Sequence, residues 1–193
     1  MNRFGKKENV ESGKMAEQFL TLMADLDRDS QNLMSEWDSA LKNAGFIGGQ
    51  AQDLPFHISL TTFQPEQERM AIQRMEEVAG TFPPIQVHIS HIGIFAPGNV
   101  LFGGPERNAN LELLYAACER NPNPQRPWTP HVTVLIDEPE TVCTALPLFL
   151  KVFRPFVGTI TRLHLCAFWP MREIAAVDLT GEPSSFRGGH PAG

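Results

Sequence analysis

Residues 55–63 read Pro55-Phe56-His57-Ile58-Ser59-Leu60-Thr61-Thr62-Phe63. Side chains alternate between the two faces of a strand. Phe56, Ile58 and Leu60 therefore share one face, and His57, Ser59 and Thr61 share the other. The first face is apolar and seeks a core. The second carries an imidazole beside two hydroxyls. A later stretch, Thr129-Pro130-His131-Val132-Thr133-Val134-Leu135, repeats the arrangement. Val132 and Val134 turn inward there, while His131 and Thr133 project together. The chain thus predicts two half-buried strands, each with His-x-Ser/Thr on its polar side.

The flanking sequence supplies the rest of the fold. Residues 18–26 (QFLTLMADL) read as a strand. Ser30 is a candidate cap for a helix on which Leu33, Trp37 and Leu41 recur along one face, and Gly45 ends it. Residues 66–79 pattern as a helix, with Ile72, Met75 and Ala79 on one side. A long strand at 85–95 turns at Pro97-Gly98 into a short one at 99–102. A helix over 110–119 and a Pro/Asn-rich loop at 121–127 precede the second motif strand at 129–135. Pro139 opens a helix with Val142, Ala145, Leu146 and Phe149 inward. Strands at 157–168 and 172–179 complete the series. The order is β-α-β-α-β-β and then α-β-α-β-β. In both parts a helix precedes the motif strand, and a helix and two strands follow it, a pattern of internal duplication. Such alternation predicts an α+β fold with helices packed outside antiparallel sheets. Residues 1–16 and 181–193 read as flexible ends, which leaves one domain over 17–180.

Bulk properties narrow the function. The net charge is −6. Proteins that hold long duplex nucleic acid by neutralising phosphates carry excess Lys and Arg, so no long duplex is expected. No run of about 18 apolar residues is present, so no membrane span is expected, and the first residues lack an apolar signal core. Cys118, Cys143 and Cys166 form neither a CxxC pair nor a disulfide framework. All three read as small core residues, and a reducing cytoplasm is the expected location.

Two imidazoles and two hydroxyls around one anion suit the cleavage of a phosphodiester. One neutral imidazole takes a proton from water or a ribose hydroxyl, and the other, as imidazolium, protonates the leaving oxygen. The hydroxyls donate to the non-bridging oxygens. This scheme calls for no metal and no cofactor. The tripeptide alone is weakly specific, because His88-Ile89-Ser90 also satisfies it. Two copies, each in an apolar strand after a helix, are much stronger. His88 and His91 face opposite ways on one strand and cannot share a metal without a bulge. His164, alongside Arg162 and Cys166, reads as structural. Arg126, Arg162 and Arg172 are candidate phosphate or base contacts, though each alone is more often a solvated charge. Trp128 is a candidate for stacking on a nucleobase, although a packing role is the commoner one.

The pair HISLT and HVTV resembles the signature of the two-histidine (2H) phosphoesterase superfamily. That superfamily includes the bacterial 2′-5′ RNA ligase-like proteins and cyclic nucleotide phosphodiesterases. The resemblance covers about residues 18–180. It includes the strand-helix opening, the Phe95…Val100-Leu101-Phe102 hairpin and the Thr129-Pro130 lead into His131. It implies two pseudo-symmetric α+β lobes around a central groove. It also implies His57 and His131 as catalytic residues, with Ser59 and Thr133 holding the phosphate. The expected partner is a nucleotide 2′,3′-cyclic phosphate or a 2′-5′ linkage in a nucleotide or short RNA end, met by a monomer. His57 as acid and His131 as base is the preferred order, which the residues themselves leave open. The rival reading is a binding module that holds a nucleotide or phospho-ligand on the same fold without turnover.

Overall fold

The structure is a computed structural model that describes residues 18–95, 99–119 and 127–182. β1 (Phe19–Leu26), α1 (Arg28–Asn43) and β2 (His57–Phe63) open the chain. A 3-10 turn at Pro65–Gln67, α2 (Glu68–Thr81), β3 (Ile85–Phe95) and β4 (Val100–Pro105) follow. Then come α3 (Ala109–Cys118), β5 (Val132–Ile136), α4 (Pro139–Val152), β6 (Phe156–Phe168) and β7 (Arg172–Asp178). This element order is the one the sequence predicts. The expectations for residues 1–16, the Pro97-Gly98 turn, residues 121–126 and the end of the chain from 183 lie outside the described residues.

Local chemistry sets the helix ends. Asp27 caps α1, its side chain accepting from the Ser30 amide at 2.8 Å. Ser30, expected as the cap, instead sits one turn inside the helix and is buried. A carboxylate at this position also meets the positive end of the helix dipole, which is why Asp27 serves where Ser30 does not. Gly45 ends α1 in the left-handed region at φ 92°, and its amide bonds the Lys42 carbonyl at 2.9 Å. The buried stripe of α1 is Ser30, Met34, Trp37 and Leu41. Leu33, expected inward, is exposed. The stripe advances by four, three and four residues, and Leu33 falls just off it.

The sheet is antiparallel, in the order β1-β2-β5-β4-β3-β6-β7 with a further β1–β6 pairing. The 13-residue β6 makes this possible. Its first residues, Phe156–Ile160, pair with β3, and its remainder pairs with β1 and β7. Two four-stranded halves result, β2-β1-β6-β7 and β5-β4-β3-β6, joined along β6 and again where β2 meets β5 at Ile58 and Val132. Six strands thereby close a circuit.

The α+β expectation of two lobes with outer helices holds. The helices cover one face of the sheet. Leu22, Ile58, Leu101, Val132 and Leu163 are fully buried beneath them, and Phe149 of α4 is buried in the same core. Trp37 of α1 packs against Phe149, Phe153 and Phe156 with ring centroids 5.1–5.8 Å apart, so the helix of one half grips α4 and β6. A smaller apolar cluster of Met23, Cys166 and Phe168 lies apart from that core, with Phe19 and Leu54 against it.

Two expectations need correction. Cys118 and Cys166 are buried, but Cys143 is exposed on α4, one position past the inward Val142 on a helix whose turn carries it to solvent. The chain is held beyond Thr180, because the Gly181 amide bonds the Phe82 carbonyl at 3.0 Å. A side chain at 181 would run into the Thr81 backbone, so glycine permits this docking.

Candidate active site

The β2–β5 contact brings the two motifs together. Ile58 faces Val132 in the ladder, and both are fully buried on the helix side. Carried one residue either way, that register sets His57 opposite Thr133 and Ser59 opposite His131. All four are half-buried on the other face. The result is a four-cornered set, with each imidazole facing the other strand's hydroxyl residue.

The two histidines are held alike. His57 Nδ1 lies 2.8 Å from the Pro55 carbonyl, and His131 Nδ1 lies 2.8 Å from the Thr129 carbonyl. A carbonyl only accepts, so Nδ1 carries the proton in each ring, and Nε2 is left as the atom that gives or takes one. Proline flanks both carbonyls: Pro55 itself and Pro130. Lacking N–H, these residues cannot extend the ladder. This is why β5 begins only at Val132, later than expected, with His131 just ahead of it.

Two clamps fix the strand between them. The Gln31 side chain of α1 accepts from the Phe56 amide at 2.8 Å and donates to the Phe56 carbonyl at 2.7 Å. It satisfies both polar groups of the residue before His57. The Trp128 indole donates to the Ser59 carbonyl at 2.9 Å and stacks flat on Tyr115 with centroids 4.2 Å apart.

A cavity of about 560 Å³ opens at His57, Ser59 and Thr133 and runs toward Phe19, Phe168 and Trp169. A second, of about 370 Å³, lies at His131, Trp128, Tyr115 and Phe95. Ser59 lines both. Together they form a groove with the four residues at its middle.

The sequence model of the 2'-5' RNA ligase superfamily matches residues 26–168. The chain belongs to the 2'-5' RNA ligase superfamily. Solved structures share the fold of this superfamily member. E. coli LigT in its apo form is 19% identical with a TM-score of 0.59, the match covering 86% of this chain and 99% of LigT. LigT complexed with 3'-AMP is 18% identical over the same shares, also at 0.59. The TT0787 protein of Thermus thermophilus is 16% identical at 0.59, over 86% of this chain and 100% of that one. At such identities the likeness speaks for the fold alone. Among curated proteins no sequence matches significantly.

Electrostatics distinguish the two imidazoles of this superfamily member. His57 titrates below the ordinary imidazole value, chiefly because burial disfavours its charged form. The Pro55 carbonyl and the Asp25 carboxylate work against that shift, and charges on His164 and His131 work with it. The two motif imidazoles are thus near enough to feel each other's charge. His131 is lowered too, again by burial first, with the Thr129 carbonyl opposing. Its ring packs edge-on to Phe95, centroids 4.7 Å apart.

The remaining candidates are placed as follows. His88 pairs with Glu106 at 3.1 Å, between β3 and the residue after β4. Arg162 pairs with Asp178 at 2.8 Å, and Arg172 with Glu68 at 2.7 Å. Arg126 lies outside the described residues. No group of three or more His, Cys, Asp or Glu side chains is arranged to hold a metal among the described residues, and no described helix is long and apolar enough to cross a membrane. Sequence reasoning missed Gln31 and Asp25. Gln31 lies on the flank of α1, 25 residues before its partner, and nothing local marks it.

Proposed function

We propose that this protein is a metal-independent phosphodiesterase that cleaves a 2′,3′-cyclic phosphate or a 2′-5′ linkage in a nucleotide or short RNA end. The observation that carries this reading is the β2–β5 crossing, which sets two imidazoles with like-fixed tautomers diagonally across two hydroxyl residues. His131 Nε2 takes a proton from water, or from a ribose hydroxyl, as its oxygen attacks phosphorus. The bond from phosphorus to the leaving oxygen breaks, and His57 Nε2 gives that oxygen its proton. Ser59 and Thr133 donate to the non-bridging oxygens. Proton exchange with solvent then restores both rings. LigT, solved with 3'-AMP, is a precedent for a nucleotide on this fold. Trp128, at the His131 end of the groove, is the candidate base contact.

The test is a screen of 2′,3′-cyclic mononucleotides and 2′-5′ dinucleotides, with chelator present and binding measured in parallel. Turnover in chelator is the expected result. Tight binding of one of these compounds without turnover of any would favour a binding module. Activity lost to chelator and restored by zinc or manganese would sink the metal-independent scheme.

Two further outcomes follow from the same geometry. Ser59→Ala and Thr133→Ala should each cost about 1.5–3 kcal/mol of transition-state stabilisation, the worth of one donor to a charged oxygen. That is a drop in kcat/KM of roughly 10- to 100-fold. Wild-type turnover in either variant would remove the hydroxyls from the phosphate site. The kcat/KM profile should be a bell, because one ring must be neutral while the other is charged. Burial lowers both rings, so both limbs should fall on the acid side of the free imidazole value of about 6.5. A plateau extending well above neutrality would contradict that sign.

A further inference from the structure

The two halves hold their imidazoles alike, but the residues behind them differ. On β1, Asp25 stands directly opposite His57. Cross-strand partners lie on one face with their Cβ atoms about 5 Å apart, so the Asp25 side chain neighbours the His57 ring. It is only 6% exposed. In the other half β4 holds the corresponding place. Gly103 faces Val132 there, which sets Gly104 opposite His131. No carboxylate stands at that point. The His91 ring of β3 covers Gly104 and fills the space a side chain would take.

Asp25 is itself held. His164 of β6, 3% exposed, places Nδ1 3.3 Å from Asp25 Oδ2. This is an ion-pair contact rather than a well-aligned hydrogen bond, since His164 Nδ1 and Asp25 Oδ1 complete none. On its other edge, His164 Nε2 lies 3.3 Å from Cys166 Sγ and 3.5 Å from Glu173 Oε2. The two ring nitrogens point apart, so Asp25 and Glu173 cannot converge on one ion. The arrangement is a relay of charges rather than a metal site.

We propose that Asp25, held in place by His164, breaks the symmetry of the two motifs and makes His57 the protonated ring and His131 the neutral one. Asp25 is a positioning residue that acts through His57, which becomes the general acid. The inference rests on the two-histidine reading and adds to it the residue pair that sets the direction of proton flow. The leaving oxygen sits on the His57 side, at the mouth of the larger cavity, and the attacking oxygen on the His131 side.

The charges around His57 act with both signs: Asp25 favours its protonated form, while His164 and His131 oppose it. His57 faces Asp25 from β1 and His131 from β5. From β6 it faces His164, which contact with Asp25 first and Cys166 second pushes up to about 10 against the cost of burial. Arg162, beside Asp25 across the ladder, is engaged by Asp178 of β7, and Glu173 of β7 backs His164. From α1, Asp38 and Lys42 border the cavity as a pair at 2.7 Å. Asp25 is thus the carboxylate set directly against His57, and His164 is the cation that offsets it.

Asp25→Asn and His164→Gln test this through opposite signs. Asn keeps the shape of Asp25 and removes its charge. The basic limb of the kcat/KM profile, where His57 loses its proton, should move to lower pH by on the order of one unit, with the acid limb unmoved. His164→Gln leaves the carboxylate uncompensated and should move the basic limb to higher pH. A second readout is leaving-group dependence. A p-nitrophenyl diester needs little protonation to depart. Asp25→Asn and His57→Ala should therefore lose far less on it than on a ribose-leaving substrate, while His131→Ala should lose as much on both. If Asp25→Asn does not fold, His164→Gln decides by its sign. Should both variants fold and leave the basic limb in place, or move it the same way, the inference is wrong. It is equally wrong if His131→Ala, rather than His57→Ala, is rescued by the good leaving group. If neither histidine variant loses turnover at all, the two-histidine reading itself has failed.

Discussion

Replacing His57 with Ala should remove most turnover, and replacing His131 with Ala should do the same. Each loss is expected at roughly 100- to 10,000-fold, the range for one general acid or base. The double variant should be little worse than the poorer single one. Once either proton transfer is missing, the other ring has no concerted partner, and groups that act as a unit are far from additive. Neither change should unfold the protein. Both rings are half-buried on the groove face, with one hydrogen bond each to a carbonyl near the strand's start, and the core side of the strands is untouched. Steady-state rates and thermal unfolding on the same preparations check this. Folded His57→Ala or His131→Ala protein with wild-type rates on every diester that wild type cleaves would end the assignment.

Trp37→Ala is the other large effect, and it acts on the frame rather than the chemistry. Trp37 is 3% exposed, touches three phenylalanines and lies close above Gly103 of β4. It belongs to the helix of the first half but packs on the second. Truncating a buried Trp costs about 3–5 kcal/mol through lost burial and the cavity left behind. Urea unfolding followed by fluorescence or circular dichroism should show a loss of that size. A loss under about 1 kcal/mol would mean that the surroundings collapse to fill the space and that Trp37 is not the tie between halves. Turnover should also fall while the variant remains folded, because the β2–β5 contact at Ile58 and Val132 depends on how the halves seat against each other.

The order of elements was legible because periodicity is local. HISLTTF alternates, and the strand it predicts is observed as β2. The face of α1 was read one residue off, at Leu33 instead of Met34, because an apolar residue stands at both positions and only packing separates them. Ser30 looked like a cap by residue type, yet Asp27, three residues earlier, had the better geometry. What no single stretch could show is pairing. Asp25 stands next to last in an apolar strand and looks like ordinary punctuation until the β1–β2 register sets it opposite His57. His164 reads as a structural histidine from its strand alone, and its partner Asp25 lies at the far end of the chain. The asymmetry between Asp25 and Gly104 likewise exists only once β1 and β4 occupy matching places.

The circuit of six strands bears on how a ligand arrives. A clamshell of two lobes can gape on a hinge when a single flexible crossing joins them. Here β6 runs through both lobes as a continuous strand, and β2 and β5 close the opposite side, so the two jaws form a hoop. Parting the jaws would break ladder bonds at Ile58 and Val132 or shear β6 along its length. The seating of the two lobes is therefore set when the chain folds, and a ligand meets them already in place. Capture should then follow encounter directly, at a rate governed by diffusion and orientation, without waiting for the lobes to close on each other.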